Sequence, residues 1–465
     1  MAIAVVLVLL VVGSILFHFL SPWWFTPIAS NWSTMDDTVI LTFWVTGTVF
    51  VAVNLFLAWA VLRYRHRKGQ KAVYDPENKK LEWWLTIVTS VGVAAMLAPG
   101  LFVWGKFVIV PEEASVVEAV GQQWHWSFRF PGKDGVLGRT NARLITPANP
   151  FGVDPGDPNG EDDVLIARPE LKLPVDQPVK VLLRSKDVLH NFTVTQFRVK
   201  MDLVPGMITY LWLTPTKTGE YEILCEELCG LAHFAMRGRV VVLPQDEFDT
   251  WLAEQPTFAE TQALAAADPA AGAAQYAVCM ACHGPTGEGN PALNAPRLAG
   301  QQAWYVRRQL HNFRDGLRGA HEQDTLGAQM RAFATMLPDD TAIRNLAAYV
   351  ESLPGQAPEA TVTGNVKRGG SLYTTCAVCH GTNGQGIWAL NAPRLAGMPD
   401  WYLVRQLQNF QQRIRGAHHQ DFYGWQMAMM ADVLADDRAI NDLVSYVNTM
   451  RPEDTRTAMA TERGN

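Results

Sequence analysis

Three long apolar stretches open the chain. Ala2–Leu20 is 19 residues with His18 as its polar interruption, Val39–Leu62 is 24 residues without a charge, and Leu85–Trp104 is 20 residues without a charge. About 20 apolar residues, rising 1.5 Å each, cross a hydrocarbon core of about 30 Å, so the second and third predict transmembrane helices. The flanks "SPWW" and "EWW" fit interfacial aromatic belts. The first stretch has no basic n-region and no small-x-small cleavage site. It is read as a retained membrane helix, with a cleaved leader as the alternative. The segment Arg63–Lys80 carries seven Lys/Arg and Ser21–Thr38 none. The positive-inside rule puts the former in the cytoplasm and everything after Trp104 on the outer side.

Beyond Val110 the pattern shortens. The runs "VKVLLRS", "NFTVTQF", "YEILC" and "GRVVVL" predict β-strands of a sandwich or barrel. Between them "NPFGVDPGDPNGEDD" is almost all turn chemistry and is expected as a solvated loop; without EF-hand spacing, Ca²⁺ binding is the weaker alternative. "EQPTFAETQALAAADPAAG" is an Ala-, Pro- and acid-rich linker. After it a helical period appears twice: Ile343, Leu346, Ala347 and Val350, then Ile440, Leu443, Val444 and Val447, each set preceded by Asp-Asp, which favours a helix N-terminus. "CMACHG" at Cys279 returns as "CAVCHG" at Cys376, and "NAPRLAG" at Asn294 returns at Asn391, both with an offset of 97 residues. This is a tandem duplication of one helical domain, not a solenoid. The expected organisation is an apolar helix with an outer loop over 1–38, a transmembrane hairpin over 39–109, a β domain over 110–253, a linker over 254–270, a helical domain over 271–353, a linker over 354–366, a second helical domain over 367–450 and a tail over 451–465. The runs Pro244–Ala270 and Pro354–Val366 are expected to act as tethers.

Composition narrows the picture. At 465 residues roughly three domains are expected, and 48% hydrophobic content excludes a disordered chain. A net charge of −6 leaves no nucleic-acid footprint. The six cysteines form three close pairs, each with a histidine nearby, which reads as metal or haem attachment and not as a disulfide framework. C-x-x-C-H is the attachment signature of c-type haem, so Cys279, Cys282 and His283, and Cys376, Cys379 and His380, predict two covalently bound haems. A thioether completes such an iron as an electron carrier with no open site. Met330 and Met427 each lie 47 residues after their histidine. Met336, Met429 and Met430 compete for the role, but only Met330 and Met427 keep one spacing in both copies.

The stretch "CEELCGLAHFAM" adds Cys225, Cys229, His233 and Met236 between two predicted strands, and "SKDVLHNF" supplies His190. Two bridging thiolates, two imidazoles, a weak thioether and the Glu227 carbonyl suit a dinuclear copper site, because soft sulfur with imidazole selects copper. A tetrahedral zinc site, which would leave Met236 without a role, and a Cys225–Cys229 disulfide are the alternatives.

With its hairpin, the stretch from "SKDVLHNFTVTQFRVKMDLVPGM" to "GEYEILCEELCGLAHFAMRGRVVV" resembles subunit II of haem-copper cytochrome c oxidases over Val39 to about Trp251. The tail from about Asp268 to Met450 resembles dihaem cytochromes c of the c-four class. The resemblance implies a multidomain fold: transmembrane helices, a cupredoxin-like β-sandwich or barrel domain holding the dinuclear copper (CuA), and two all-α cytochrome c domains. It implies His190, Cys225, Glu227, Cys229, His233 and Met236 as copper ligands, Glu227 through its carbonyl. The Glu227 side chain would reach a Mg²⁺ at the contact with subunit I. Trp124 in "GQQWHWSF" matches the tryptophan through which electrons arrive from cytochrome c, although His125 stands where tyrosine is common. Glu82 in "KKLEWW" matches a glutamate at the mouth of a proton path, although Leu85 and Thr89 replace the usual tryptophan and proline; snorkelling to the membrane surface is the alternative. In the tail, Pro296 and Pro393 would accept a hydrogen bond from the proximal histidines, and Gly272 and Gly369 would seat Tyr349 and Tyr446.

The implied function is electron transfer from an external donor, a cytochrome c or an upstream quinol-oxidising complex, through two haems c and copper to an oxygen-reducing, proton-translocating subunit I with haem and CuB. Subunit III and membrane lipid are further expected partners, nucleic acid is not, and the site is the outer face of the cytoplasmic membrane. Quinol oxidases of this superfamily lack the paired cysteines, which disfavours direct quinol oxidation. The alternatives are the small subunit of a CuA-containing nitric-oxide reductase and a stand-alone membrane electron carrier.

Overall fold

The computed structural model describes residues 1–21, 26–71, 76–264, 266–354 and 358–450. The Trp23–Trp24 flank and the 451–465 tail lie outside the described residues. Among the described residues three helices are long and apolar enough to cross a membrane: α1 (Ala2–Leu20), α2 (Ser33–Arg63) and α3 (Lys79–Val108). The last two outrun their apolar stretches because polar residues extend them: Asp36 lies in the first turn of α2, and Asn78 caps α3 by accepting from the Leu81 amide at 3.1 Å. A helix satisfies its own backbone, so side chains such as Trp44, Phe56 and Leu101 stay exposed for lipid. α1 packs along α2, and α2 against α3.

Among the described residues ten strands follow: β1 (Ser115–Gln122), β2 (His125–Phe130), β3 (Val164–Ile166), β4 (Glu170–Pro174), β5 (Val179–Ser185), β6 (His190–Val194), β7 (Val199–Leu203), β8 (Ile208–Leu213), β9 (Gly219–Leu224) and β10 (Arg237–Leu243). They form two five-stranded sheets, in orders β3-β2-β1-β5-β8 and β4-β10-β9-β6-β7. β1 runs parallel to β5, with Val117 opposite Val181, and β10 runs parallel to β4; the other neighbours are antiparallel. The alternation along β5 and β10 buries every second residue, as a strand with one covered face requires. Trp126, Phe128, Phe192 and Leu183 fill the core between the sheets.

The hairpin is seated on this domain at its outer end. Trp32 is buried between Phe107 and Trp212, with ring centroids at 5.3 and 4.8 Å, and donates to the Trp212 carbonyl at 3.0 Å. Trp212 donates to the Lys106 carbonyl at 3.2 Å, and Arg198 pairs with Asp36 at 2.7 Å. The pose of the β domain over the membrane is therefore set by side-chain packing as well as by the chain connection.

Two expectations need correction. The 149–163 segment is not a solvated loop. Phe151 and Val153 are fully buried with Val120 and Phe258, and Asp163 is buried against Arg129 at 2.7 Å. Two apolar side chains among many turn residues suffice to anchor it. Nor is Pro244–Ala270 a free tether. It carries α4 (Gln245–Ala253), packed on β4, and α5 (Phe258–Ala263), started by a Thr257–Glu260 capping box and held down by buried Phe258.

The tail forms two helical modules. The first has α6 (Pro269–Tyr276), α7 (Met280–His283), α8 (Ala303–Arg314), α9 (Thr325–Ala334) and α10 (Asp340–Ser352). The second has α11 (Val366–His380), α12 (Asp400–Gln411), α13 (Phe422–Ala431) and α14 (Asp437–Val447). Asp339 and Asp436 cap α10 and α14, each accepting an amide hydrogen at 2.8 Å. The first and last helices of each module touch backbone to backbone. A Cβ built on Gly272 would lie 2.1 Å from the Asn345 carbonyl oxygen, and one on Gly369 would lie 1.9 Å from that of Asp442. Tyr349 and Tyr446 sit beside these glycines, each with its Cβ 2.9 Å from the built atom.

The modules face each other through reciprocal bonds. Arg297 donates to the Gly397 carbonyl at 2.7 Å, and Arg394 to the Gly300 carbonyl at 2.9 Å. Arg318 reaches Tyr402 and Gln406 at 3.0 and 3.1 Å, and Arg415 reaches Tyr305 and Gln309 at the same distances. Arg405 bonds Asn294 at 2.6 Å, and Arg308 bonds Asn391. Each of these bonds is thus made twice, its donors and its acceptors being repeat counterparts 97 residues apart, which is pseudo-two-fold symmetry.

Candidate copper centre and haem sites

The loop between β9 and β10 gathers the sulfur ligands expected from the sequence. The Cys225 and Cys229 sulfurs are 3.7 Å apart, and all six cysteines are free thiols, so no disulfide joins them. His190 Nδ1 lies 3.9 Å from Cys225 Sγ, His233 Nδ1 3.5 Å from Cys229 Sγ, Met236 Sδ 3.8 Å from Cys229 Sγ, and the Glu227 carbonyl oxygen 3.3 Å from Cys225 Sγ. All six donors therefore converge, although they come from β6, the loop and the 3₁₀ turn at His233–Ala235. His190 and Met236 have no solvent exposure, and both cysteines are buried. A compact, buried set of two thiols, two imidazoles, a thioether and a carbonyl fits copper by softness and by number.

The ligand groups hold their protons unequally. The Cys229 thiol, then the His190 ring and the main chain of the loop, hold the Cys225 thiol far below its ordinary value, at about 3. The Cys225 sulfur beside it, helped by burial, pushes the Cys229 thiol up. The two thiols therefore give up their protons unequally, because the first thiolate formed opposes the second. Burial is the largest single influence and disfavours a charged His190, but the hydrogen bonds and charges of Asp187 and Cys225 together outweigh it and raise the ring.

Asp187 is the residue that the sequence reading missed. Its carboxylate accepts from His190 Nε2 at 2.8 Å, from the Gln123 amide at 2.7 Å and from the Val188 amide at 2.7 Å. A carboxylate on Nε2–H fixes the tautomer and leaves Nδ1 as the lone-pair nitrogen facing Cys225. The available signal was an acid three residues before the histidine in "SKDVLHNF". Gln123 and Trp124 brace the loop from the other side, donating to the Cys229 carbonyl at 2.8 and 3.2 Å. Gly230 lies under them with φ +118, where a Cβ would come within 2.8 Å of Gln123 Nε2.

Trp124 is buried, 5% exposed, and the second helical module covers it: Gln426 Nε2 donates to the Trp124 carbonyl and, at 3.1 Å, to that of Ala235. Neighbouring His125 is 8% exposed, with Asn391 Nδ2 3.3 Å from Nδ1 and the Tyr423 ring at 6.1 Å. Arg308 of the first module stacks on Tyr423 at 4.3 Å, so three domains meet there. Glu82 is not near this site. It lies exposed on the first turn of α3, about 39 Å along the helix from Val108 at 1.5 Å per residue.

In the helical modules the predicted residues surround two cavities. Cys279, Cys282, His283 and Met330 line a cavity of about 360 Å³ that continues to His380 and Met427. Cys376, Cys379, His380 and Met427 line a second of about 90 Å³. His283 Nδ1 is 2.8 Å from the Pro296 carbonyl and His380 Nδ1 2.7 Å from that of Pro393. A carbonyl only accepts, so Nδ1 carries the hydrogen and Nε2 keeps its lone pair on each ring. Of the rival methionines, Met336 is 67% exposed, while Met429 and Met430 pack against the core of the β domain. Met430 also lines the smaller cavity, but its repeat counterpart is Phe333, which has no ligand atom. The cysteine pairs, the oriented histidines and an apolar lining fit covalent haem.

Comparison with known proteins agrees with this geometry. Residues 115–243 match the family model "Cytochrome C oxidase subunit II, periplasmic domain", and residues 269–354 and 366–451 match "Cytochrome c". The alternative cytochrome c oxidase subunit 2 of Bradyrhizobium diazoefficiens is 58% identical over 259 residues, covering 56% of this chain and 94% of that protein. Cytochrome c oxidase subunit 2 of Cereibacter sphaeroides is 28% identical over 49% of this chain and 77% of its own length. Among solved structures, reduced recombinant cytochrome c4 from Pseudomonas stutzeri is 29% identical and matches 40% of this chain and 100% of its own, with a TM-score of 0.33.

Proposed function

The chain belongs to the cytochrome c oxidase subunit II family, with two cytochrome c domains fused behind the family's outer domain, and from that premise we propose that it carries electrons from an external donor to the oxygen-reducing subunit I of a haem-copper terminal oxidase. Bound copper and haem c supply one-electron carriers that change geometry little on reduction. His190, Cys225, Glu227, Cys229, His233 and Met236 would hold two coppers; Cys279, Cys282, His283 and Met330, and Cys376, Cys379, His380 and Met427, would hold one haem each. The observation that carries this reading is the convergence of all six donor groups, each within 3.3–3.9 Å of a cysteine sulfur.

The contacts between domains support one order of the modules. The second module bears on Trp124, and Trp124 bonds the carbonyl of Cys229. Electrons would therefore reach the copper loop from the second module, with Trp124 as the bridge, and the first module would be the outer one. Trp124 would receive electrons from a fused domain and not from a free cytochrome. Glu227, half-buried in the loop, would offer its carboxylate to a Mg²⁺ facing subunit I, and Glu82 would mark a proton path at the opposite membrane face. Subunit III, membrane lipid and a cytochrome or quinol-oxidising donor complete the expected partners at the outer face of the cytoplasmic membrane.

Metal and haem analysis of the purified chain tests the reading. Two coppers and two haems per chain are expected, with an electron spin resonance signal shared over both coppers. Zinc in place of copper, or one isolated copper, would refute the centre. Co-purification of a many-helix, haem-bearing partner is expected from native membrane, whereas isolation alone would favour a stand-alone carrier.

A further inference from the structure

The dipeptide Gln-Met stands at the same place in both helical modules, as Gln329–Met330 and as Gln426–Met427. The two methionines are the expected thioether ligands of the haems. The two glutamines differ in what they meet. Gln329 is exposed. Gln426, on α13, is partly buried against the β domain, where its Nε2 donates to the Ala235 carbonyl at 3.1 Å and to the Trp124 carbonyl. Ala235 closes the 3₁₀ turn His233–Ala235, and the next residue is Met236, which has no solvent exposure and holds its sulfur 3.8 Å from Cys229 Sγ. A single hydrogen bond therefore spans the gap between two thioethers. One belongs to the neighbour of the donor residue, the other to the neighbour of the acceptor.

We propose that Gln426 is a positioning residue for electron passage from the second module to the copper loop, joining Met427 to Met236 through the Ala235 carbonyl. The proposal rests on the function given above and adds to it a branch that bypasses the Trp124 indole. Electron tunnelling weakens less along covalent bonds and hydrogen bonds than across van der Waals gaps. The Ala235 branch crosses one hydrogen bond. The Trp124 branch crosses two, first to the Trp124 carbonyl and then from Trp124 Nε1 to the Cys229 carbonyl at 3.2 Å. Cys379 also touches the β-domain core, but through apolar contact. A primary amide carries two hydrogens, so one nitrogen serves both carbonyls. Other groups hold the seam around it. Arg237 stacks on Trp425 at 5.7 Å, Met429 and Met430 pack on the β-domain core, and Tyr423 donates to the Ala167 carbonyl at 3.1 Å. The Gln426 amide can therefore be replaced without undocking the module. One electron leaves the second haem and one enters the copper pair; no bond forms or breaks and no proton moves.

The test uses the whole purified oxidase with copper and haem bound. A light flash on a dissolved ruthenium polypyridyl photoreductant injects an electron, and haem oxidation and copper reduction are followed by their absorbances. Gln426→Met keeps the side-chain length and removes both donor hydrogens. It should slow haem-to-copper transfer several-fold. The copper spin-resonance spectrum, the reduction potentials and cross-linking between the β domain and the second module should stay as in the wild type. Gln426→Lys restores N–H donors and should recover most of the lost rate. Gln329→Met, the same change at the repeat position, should leave the rate unchanged. Trp124→Phe removes the Nε1 donor and should slow transfer less than Gln426→Met does. An unchanged rate in Gln426→Met overturns the proposal. A loss of cross-linking that accounts for the slowing overturns it too, by making Gln426 a docking contact only. So does equal slowing in Gln329→Met, which traces the effect to the adjacent methionine, and so does a larger loss in Trp124→Phe or no recovery with lysine. Failure of the copper to take any haem electron in the wild type would instead refute the proposed function.

Discussion

A single acid controls the copper loop more than its sequence position suggests. Asp187 joins the His190 ring to the backbone of Gln123, so it sets both the tautomer of one ligand and the position of the brace beneath another. Asp187→Ala should cost about 10- to 100-fold in copper affinity, the usual range for lost carboxylate–histidine support, while both haems remain. Copper retention against a graded chelator, with haem absorbance as the internal control, checks this. The cysteines, histidines and methionines were legible in the sequence because their spacing is tied to chemistry. Asp187 was not, because an acid near a histidine is common and only the fold brings it onto Nε2. Met336 shows the converse: a thioether close in sequence to Met330 that the fold turns outward.

Among the elements, the contact between the first and last helices of each module leaves no room for a side chain. Gly369→Ala would drive a Cβ into the Asp442 carbonyl, and since backbone cannot rotate away, the second module should lose roughly 1–3 kcal/mol. Calorimetry should show the transition of the second module shift to lower temperature. Gly272→Ala should do the same to the first module, where the built Cβ lies 2.1 Å from the Asn345 carbonyl. The strands and the amphipathic helices were legible because burial follows their period. The 149–163 segment was not, since Asp, Gly, Pro and Asn outnumber Phe151 and Val153 and hide the two residues that anchor it. The linker was misjudged for the same reason: composition says flexible, and one buried Phe258 says otherwise.

The assembled chain is held together at the seam where His125 meets Asn391, Tyr423 and Arg308. Burial, then Lys186 and Arg308, lower the His125 ring from 6.5 to about 3, with Asp187 opposing and His190 adding slightly to the fall. The lowered value means the docked state binds fewer protons than an open one. Its contribution is full above about 6.5 and is lost as pH falls toward 3, by at most about 1.4 kcal/mol per pH unit. Cross-linking between the β domain and the second module should therefore weaken between pH 6.5 and 4.5, and His125→Phe should flatten that dependence. The duplication was plain in the sequence, but the way its halves embrace was not, because the bonds run from arginine side chains to main-chain carbonyls whose partners no local pattern names. That embrace also limits growth. Two copies meeting through the same patch on each cover that patch on both, so a third copy could not stack through it. A chain lengthened by another duplication would have to invent a new contact for the added copy, so the number of such modules working as one body stops at a pair.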